Sequence, residues 1–548
     1  MDRRRARSGS PDHRIPGAIF LLLFCVYAYF HQGGGWNQNA RFAQIRAFVE
    51  RGRLEIDDYL LYSFERGATG AVGYRRLLLS DPGTRSERLP RANTLDLSVH
   101  GSHYYPNKPP GITLLGAPAY AAIHAWERMR GLDPDDWWIL TLNLYLTTVF
   151  SVGALGALGG ALFYSISRRL FPELGAAVHV GAALTFGLGT LALPYATLLV
   201  DHVVVASLLL LVFRLLLELS RANRPEAVGG AAFLFSAGGV AGLAVVVNNS
   251  ALLAVGALGA YAGWLCRPRR LAAWYLVGGL LPAALLAGYH WACFGDPFDL
   301  PQSHQLDVFQ TATASPILGI FAAPSWGVLS ELLFRPYRGL FLFSPVLALS
   351  VYGLARMLAE RRRRAEAVLF GAIFLLFLLM NLSFNGWHGG SSFGPRYLIP
   401  ALPFLALPMA LAFARFRLPS LALASVSVAT MGVVTAVDPQ VDVTFRRPAS
   451  EYYLPLALGR NVEIGAFSVR GPVSAHPMGA TGGDLEVADP ATRYAAWNSF
   501  NLGEFLFPHR WASLLPLVLG AGLLALGLLR RAAREPVPER PVDTAANP

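Results

Sequence analysis

The residues best suited to chemistry stand at the ends of apolar stretches. Lys108 is the only lysine among 548 residues; all other members of the 46 lysine-plus-arginine total are arginine. It lies in Tyr104-Tyr105-Pro106-Asn107-Lys108-Pro109-Pro110-Gly111, directly before an apolar run. Proline opens a helix well, and a helix N-terminus flanked by a compact ammonium attracts an anion. At headgroup depth that anion is a lipid phosphate; a lysine snorkelling to the interface is the alternative. Arg396 follows the glycine- and hydroxyl-rich run Trp387–Pro395 and enters an apolar span. A guanidinium there needs a partner, and a bidentate phosphate contact suits it best. Arg338, in Tyr337-Arg338-Gly339, has the same context.

Carboxylates supply the second half of a reaction. Asp201-His202 opens a hydrophobic stretch, so Asp201 is a general base or metal ligand facing a polar cavity, or a helix N-cap. Asp57-Asp58 follows an amphipathic helical pattern over Ala40–Arg51. Two adjacent acids on a loop abstract a proton, hold a divalent cation, or are solvated turn residues. Asp96 is a weaker candidate of the same kind. Tyr105, His202, His304, Trp387 and His388 are the substrate-binding candidates, through stacking and hydrogen bonding to a sugar. No P-loop, nucleophile elbow, HExxH or dinucleotide fingerprint occurs. No cofactor is implied, and a divalent cation is left open.

The elements that position these residues follow from composition. The chain is 54% hydrophobic and 15% charged, against about 25% charged in ordinary soluble proteins. That excludes a soluble enzyme and a disordered protein. The net charge of +11 is spread in short runs between apolar stretches, a pattern for membrane topology and not for nucleic acid. Three scattered cysteines, Cys25, Cys266 and Cys293, make no metal or disulfide framework. Apolar segments near 15–29, 137–165, 175–195, 198–218, 228–247, 250–266, 271–290, 340–357, 367–384, 397–414, 419–437 and 511–530 predict about twelve helices able to cross some 30 Å of hydrocarbon.

Gly111–Trp126 is also apolar, and the arginines decide its fate. If it does not cross, Arg168-Arg169, Arg221/Arg224, Arg267-Arg269-Arg270, Arg361–Arg364, Arg415/Arg417 and Arg530-Arg531 share the cytoplasmic side with the basic N-terminus. If it crosses, all of them are exported. An interfacial helix over 111–126 on the outer surface is therefore expected. The expected organisation is a basic cytoplasmic segment 1–14 and a transmembrane module 15–437. That module holds a first periplasmic loop at about 31–136 and a second at about 291–338. A partly β-structured periplasmic segment over 438–509, a last helix over 510–531 and a disordered cytoplasmic tail 532–548 complete it. The chemistry-bearing clusters all fall on the periplasmic side.

Five phrases in order, Tyr104–Gly111, Phe294–Phe298, Tyr337–Leu347, Trp387–Leu405 and Phe500–Glu504, match YYxxKxPG, FGxPF, YRGLFxxSPxL, WxGGxSxGPRYLxPxLPFL and FNLGE. On these the chain resembles the GT-C glycosyltransferases, the polyprenyl-phosphate-dependent class that includes aminoarabinose and protein O-mannosyl transferases, and within it a bacterial branch. The resemblance spans nearly the whole chain. It implies an all-α polytopic GT-C-like fold with juxtamembrane helices in the first periplasmic loop. It places Lys108 on the carrier-lipid phosphate and Asp201, after Tyr195-Ala196, at a functional acid position. The class usually carries an acidic pair just after the first span, before an Ala-Arg-Tyr-like run; here that place reads Gln38-Asn39-Ala40-Arg41-Phe42. The base is then Asp57, Asp58 or Asp201, or activity is altered or lost.

The expected function is transfer of a sugar from a polyprenyl-phosphate donor to a glycan, lipid or protein acceptor, with inversion, at the periplasmic face of a bacterial inner membrane. An aspartate takes the acceptor proton, and Lys108, Arg396 and Arg338 hold the phosphate. A flippase for a lipid-linked anion, or a glycan ligase of another fold, would use the same basic cavity. The missing internal repeat and the one-sided polar residues argue against a transporter.

Overall fold

In the computed structural model the described residues are 14–33, 35–66, 72–77, 94–221, 228–266, 268–306, 321–460, 462–464, 467–469, 499–507 and 510–535. The basic N-terminus before Arg14, the tail beyond Glu535, and residues 307–320 and 470–498 of the second and third expected loops lie outside them. Each expected apolar stretch is helical. In chain order the main helices are α1 (Arg14–Ala28), α2 (Trp36–Arg51), α3 (Gly111–Arg130), α4 (Trp138–Leu170), α5 (Ala176–Gly189), α6 (His202–Arg221) and α7 (Val228–Val247). Then come α8 (Leu252–Leu265), α9 (Ala273–Phe294), α10 (Leu349–Ala359), α11 (Arg364–Ser383), the broken α12 (Arg396–Ala406 and Met409–Arg415), α13 (Arg417–Val437) and α14 (Leu515–Ala533).

Among the described residues seven helices are long and apolar enough to cross a membrane, eight with the two halves of α12, which bend by 52°. Pro408 between those halves accounts for the break, since it cannot donate to the helical ladder. The helices α1, α5, α8 and α10 are apolar but shorter. The fold is therefore a polytopic helical membrane protein.

Packing gives the bundle two chemically distinct ends. A Cβ on Gly160 would meet Leu23, and one on Gly156 would meet Tyr27, so α1 and α4 run antiparallel. Residue 31 and residue 137 are thus at the same end, and everything between them leaves and returns there. At the opposite end Arg363 donates to Leu170 O at 2.9 Å and to Glu173 at 2.6 Å. Arg169 pairs with Glu218 at 2.7 Å, and Arg168 with Glu535. These arginine runs therefore gather at one end, as the topology argument requires of them.

The helix α3 runs from Gly111 to Arg130, longer than the expected 111–126. It is not among the helices that meet the criteria for a span. It lies beside α2: Thr113 donates to Gln44 at 2.7 Å, and Tyr120 donates to Glu50 at 2.6 Å. The expected amphipathic character of α2 is not what is found. Gln38 through Ala47 are all buried, because α3 covers one side and the chain around Asp201 and Gln440 covers another.

Short hairpins serve the same end. Strand β1 (Phe30–His31) pairs with β8 (Phe500–Asn501), β2 (Leu61–Arg66) with β3 (Val72–Leu77), β4 (Leu97–His100) with β5 (His103–Pro106), and β6 (Val462–Ile464) with β7 (Phe467–Val469), all antiparallel. The β1–β8 pairing ties the first helix to the last. Beside it Asn501 donates to Glu504 at 2.7 Å and to Ser513 at 2.9 Å. Burial pushes the Glu504 carboxyl up to about 8, against the backbone contact at Asn501 that lowers it. A carboxyl that holds its proton more tightly when folded contributes stability below its ordinary value near 4.5, and loses it as pH rises through about 8. The melting temperature is accordingly expected to fall between these pH values. Glu504→Gln should flatten that slope, as thermal unfolding of the detergent-solubilised chain would read.

Two helices approach closely enough to test directly. A Cβ on Gly238 of α7 would lie 1.9 Å from Tyr275 O of α9, and one on Gly278 would lie 2.0 Å from Phe235 O. Small residues allow such backbone contact in membranes. Gly238→Ala is expected to destabilise by about 1–3 kcal/mol through forced separation. Gly239→Ala, whose Cβ would meet only Gly278 O at 3.6 Å, should be close to neutral in the same unfolding measurement.

Candidate active site

The site forms where α2, the start of α6, the Trp387–Pro395 turn and the chain after α13 converge. Arg41 of α2 is oriented by Asn37 one turn back, whose Oδ1 accepts from Nε at 2.8 Å. Its Nη2 meets Asp201 Oδ2 at 2.5 Å, with both side chains buried. The other Asp201 oxygen lies 3.0 Å from His202 Nδ1. The His202 ring is edge-on to Tyr195 and to Tyr397, each at 5.9 Å. Tyr195 in turn donates to Phe393 O at 2.9 Å, fastening the glycine-rich turn over the acid.

That turn carries positive-φ glycines at 389, 390 and 394. Gly389 and Gly390 have φ of 78° and 67°, which side chains rarely adopt. A Cβ at Gly389 would also lie 3.1 Å from the Arg396 side chain. Gly390 O accepts from Arg338 Nη2 at 2.9 Å, and Gly390 N donates to His388 Nδ1 at 3.0 Å. Burial, then Arg338, Arg396 and Arg446, press His388 below the usual imidazole value. It is thus a neutral ring, and with Nδ1 accepting, its proton sits on Nε2.

The charge balance here is one-sided. Arg338 stacks on Tyr337, 4.4 Å from the ring centroid, and is 1% exposed. Its Nε and Nη1 are buried without a hydrogen-bond partner. Arg396 lies over Tyr397 at 5.1 Å, and its Nε is likewise buried and unpartnered. Arg446 also lies over the Tyr337 ring, 4.8 Å from its centroid. Among the described residues neither Arg338 nor Arg396 forms an ion pair with a carboxylate. Buried guanidiniums without acids are costly, and their free N–H groups form a cradle for an anion with several acceptor oxygens.

Lys108 stands just before α3, its Nζ 3.8 Å from Asp96 Oδ2. Gln302 Nε2 donates to the neighbouring Asn107 O at 3.3 Å, tying this turn to the second loop. The structure brings the expected Arg338 and Arg396 to one turn with Trp387 and His388, sets Asp201 and His202 beside it through Tyr195 and Tyr397, and places Lys108 with Asp96. Trp387 is edge-on to Tyr337 at 5.9 Å.

Other expected residues are elsewhere. Asp57 accepts from the Tyr104 backbone N–H and contacts His103 Nδ1, both at 2.7 Å. Asp58 pairs with Arg51, about 15 Å along α2 from Arg41 at 1.5 Å per residue. Tyr105 packs with Tyr289, Cys293 and Phe294; burial, aided by Cys293, Glu55 and Asp57, pushes its hydroxyl up to about 12. His304 stacks on Phe294 at 5.0 Å and meets Asp299 at 2.7 Å. Among the described residues no group of three or more His, Cys, Asp and Glu side chains is placed to hold a metal.

Sequence reasoning named no role for Arg41, Tyr195 or Tyr397. Spacing could have exposed Arg41, since Asn37 and Arg41 lie one turn apart at the head of a helix. Its pairing with Asp201, 160 residues away, had no local signal.

No protein-family model matches the chain, and no curated protein matches it. Among solved structures it aligns with ArnT from Cupriavidus metallidurans bound to undecaprenyl phosphate. The identity is 14%, over 95% of this chain and 73% of that one, with a TM-score of 0.47. The archaeal oligosaccharyltransferase AglB from Archaeoglobus fulgidus, in complex with an inhibitory peptide and a dolichol-phosphate, aligns at 11% identity. It covers 81% and 57% of the two chains, with a TM-score of 0.41. The arabinosyltransferase EmbB from Mycobacterium smegmatis aligns at 12% identity over 97% and 42%, with a TM-score of 0.40.

Proposed function

We propose that this chain is a GT-C glycosyltransferase of the bacterial inner membrane. In this reading it takes a sugar from polyprenyl phosphate and transfers it to a periplasmic or lipid-linked acceptor. The observation that carries the reading is the pair of buried arginines, Arg338 and Arg396, which border the Gly389-Gly390 turn, keep unpartnered N–H groups and pair with no acid among the described residues. A phosphate supplies the missing charge. The end of the bundle that holds them faces the periplasm, and α3 lies along the outer interface, where a lipid phosphate sits. Lys108, at the start of α3, is the mobile cation of the set.

The chemistry follows from charge. A polyprenyl phosphosugar is a phosphodiester with one negative charge, and the departing lipid phosphate carries more. Arg338, Arg396 and Lys108 stabilise charge as it develops on the leaving oxygen. The acceptor oxygen attacks the anomeric carbon from the opposite face, and the configuration inverts. The Arg41–Asp201–His202 group braces the floor of the site.

The test is mass spectrometry of lipids and surface glycans from cells with and without the gene, and with Lys108→Ala or Arg396→Ala chains. A sugar-bearing product lost in all three, with a carrier-linked sugar accumulating, is the expected result. Unchanged glycans with an altered leaflet distribution of a lipid would make the chain a flippase instead.

A further inference from the structure

A glycosyl transfer to a hydroxyl needs a group to receive its proton, and most carboxylates at this end of the bundle are already engaged. Asp201 is held by Arg41 and His202. Asp57 is held by the Tyr104 N–H and His103, and Asp58 by Arg51. Glu50 takes Arg46, Tyr59 and Tyr120. Asp438 accepts from the Tyr452 hydroxyl at 2.6 Å and the Gln440 N–H at 2.7 Å. Asp442 caps Thr444 and lies 3.5 Å from the Ser391 hydroxyl, with no ion pair among the described residues.

Asp96 differs in its surroundings. Among the described residues its one ionic contact is the long 3.8 Å approach to Lys108, and its side chain remains partly open to solvent. It thus stands against Lys108, one of the cations proposed to hold the phosphate. Its backbone is held on both sides. The Asp96 N–H donates to Thr94 Oγ1 at 3.0 Å, and that hydroxyl donates to Trp36 O at 2.7 Å. Asp96 O accepts from Asn107 N at 3.2 Å. The chain around residue 96 is thereby stitched to the first turn of α2, two residues before Gln38, and to the Lys108 turn.

We propose that Asp96 is the general base of the transfer, a carboxylate brought by the first loop to the place where α2 itself offers the amides Gln38 and Asn39. The inference rests on the glycosyltransferase reading above. Donor phosphate displaces Asp96 from Lys108, and the freed carboxylate takes the acceptor proton. The acceptor oxygen forms its bond to the anomeric carbon as the bond from that carbon to the phosphate oxygen breaks. The electron pair leaves with the lipid phosphate, and Asp96 later gives the proton to water.

The test uses the full chain in nanodiscs. The carrier-linked sugar that accumulates in the deletion strain serves as donor, and membranes of that strain serve as acceptor. A positioned base contributes roughly 10²–10⁴-fold. Asp96→Asn is therefore expected to lower kcat by at least 100-fold while undecaprenyl phosphate, used as a binding probe, binds as well or more tightly. That binding also shows the variant is folded. The acid limb of the pH–rate profile should vanish in Asp96→Asn and return in Asp96→Glu. Gln38→Asp placed in the Asp96→Asn chain should recover part of the rate, which a structural role for Asp96 could not produce. Transfer by Asp96→Asn at the unaltered rate, or abolition of the acid limb by Asp442→Asn or Asp57→Asn with Asp96 intact, would overturn the assignment while leaving the glycosyltransferase reading in place. No transfer by the unaltered chain would overturn both.

Discussion

Arg338→Met is expected to lower sugar transfer by about 10²–10³-fold, the cost of removing one preorganised donor to a developing oxyanion, without lowering thermal stability. The two halves of this result have one cause. Arg338 is 1% exposed, and two of its nitrogens are buried without hydrogen-bond partners. Its contacts are a carbonyl, Gly390 O, and the Tyr337 ring. Neither returns what a guanidinium loses when it leaves water. Replacing a buried, poorly compensated charge with an apolar side chain of similar length is commonly neutral or stabilising. A residue that costs stability and remains in place is kept for what it binds. Arg338→Lys keeps the charge but not the planar fork, so its activity should fall between the two. Side-by-side measurement of undecaprenyl phosphate binding, transfer rate and melting temperature checks this. A melting temperature that drops in step with activity would show Arg338 to be a structural brace, and the phosphate cradle would lose its main support.

Much of this arrangement was legible in the chain. The apolar stretches became helices because hydropathy over such lengths leaves the backbone no other way to satisfy its polar groups in lipid. The arginine runs at 168–169 and 361–364 predicted which helix ends gather, because charge at helix ends is legible without tertiary structure. Arg338, Arg396, Asp201 and Lys108 stood out because each interrupts or borders apolar sequence, where an ionised side chain is expensive. What could not be read was pairing. Asp57-Asp58 looked as available as Asp201 until the fold set Asp57 against His103 and Tyr104 and Asp58 against Arg51. Asp96 looked weaker than either, because nothing nearby in sequence shows that it meets Lys108 and, through Thr94, the start of α2. Amphipathicity misled for α2 because its polar side chains are buried against partners from four separate stretches: Thr113, Asp201, Tyr289 and Gln440. A polar residue whose partner is distant looks solvated when only its neighbours are visible.

The Arg41–Asp201 pair leads to the second large effect, and here stability and activity should fall together. Both side chains are buried, at 2% and 5% exposure, and the contact is 2.5 Å. Arg41→Ala leaves Asp201 with His202 alone, an uncompensated carboxylate at the head of α6. Breaking one side of such a pair costs about 3–5 kcal/mol, far more than the intact pair contributes over an apolar substitute. Asp201→Asn should be milder, because an amide can still accept from Arg41 even as the guanidinium loses its counter-charge. The paired change Arg41→Met with Asp201→Leu should recover most of the lost stability, since no charge is then stranded. It should not recover transfer. Asp201 orients His202, and His202 packs edge-on against Tyr195 and Tyr397; Tyr195 holds the turn that carries Gly389 and Gly390, and Tyr397 lies under Arg396. Removing the acid frees that chain of contacts at its root and lets the phosphate cradle relax. Urea or thermal unfolding of the four chains, with transfer rates on each, separates the two roles. If the double variant regained activity together with stability, the ion pair would be packing alone, and the path from Asp201 through His202 to the arginines would carry no catalytic consequence.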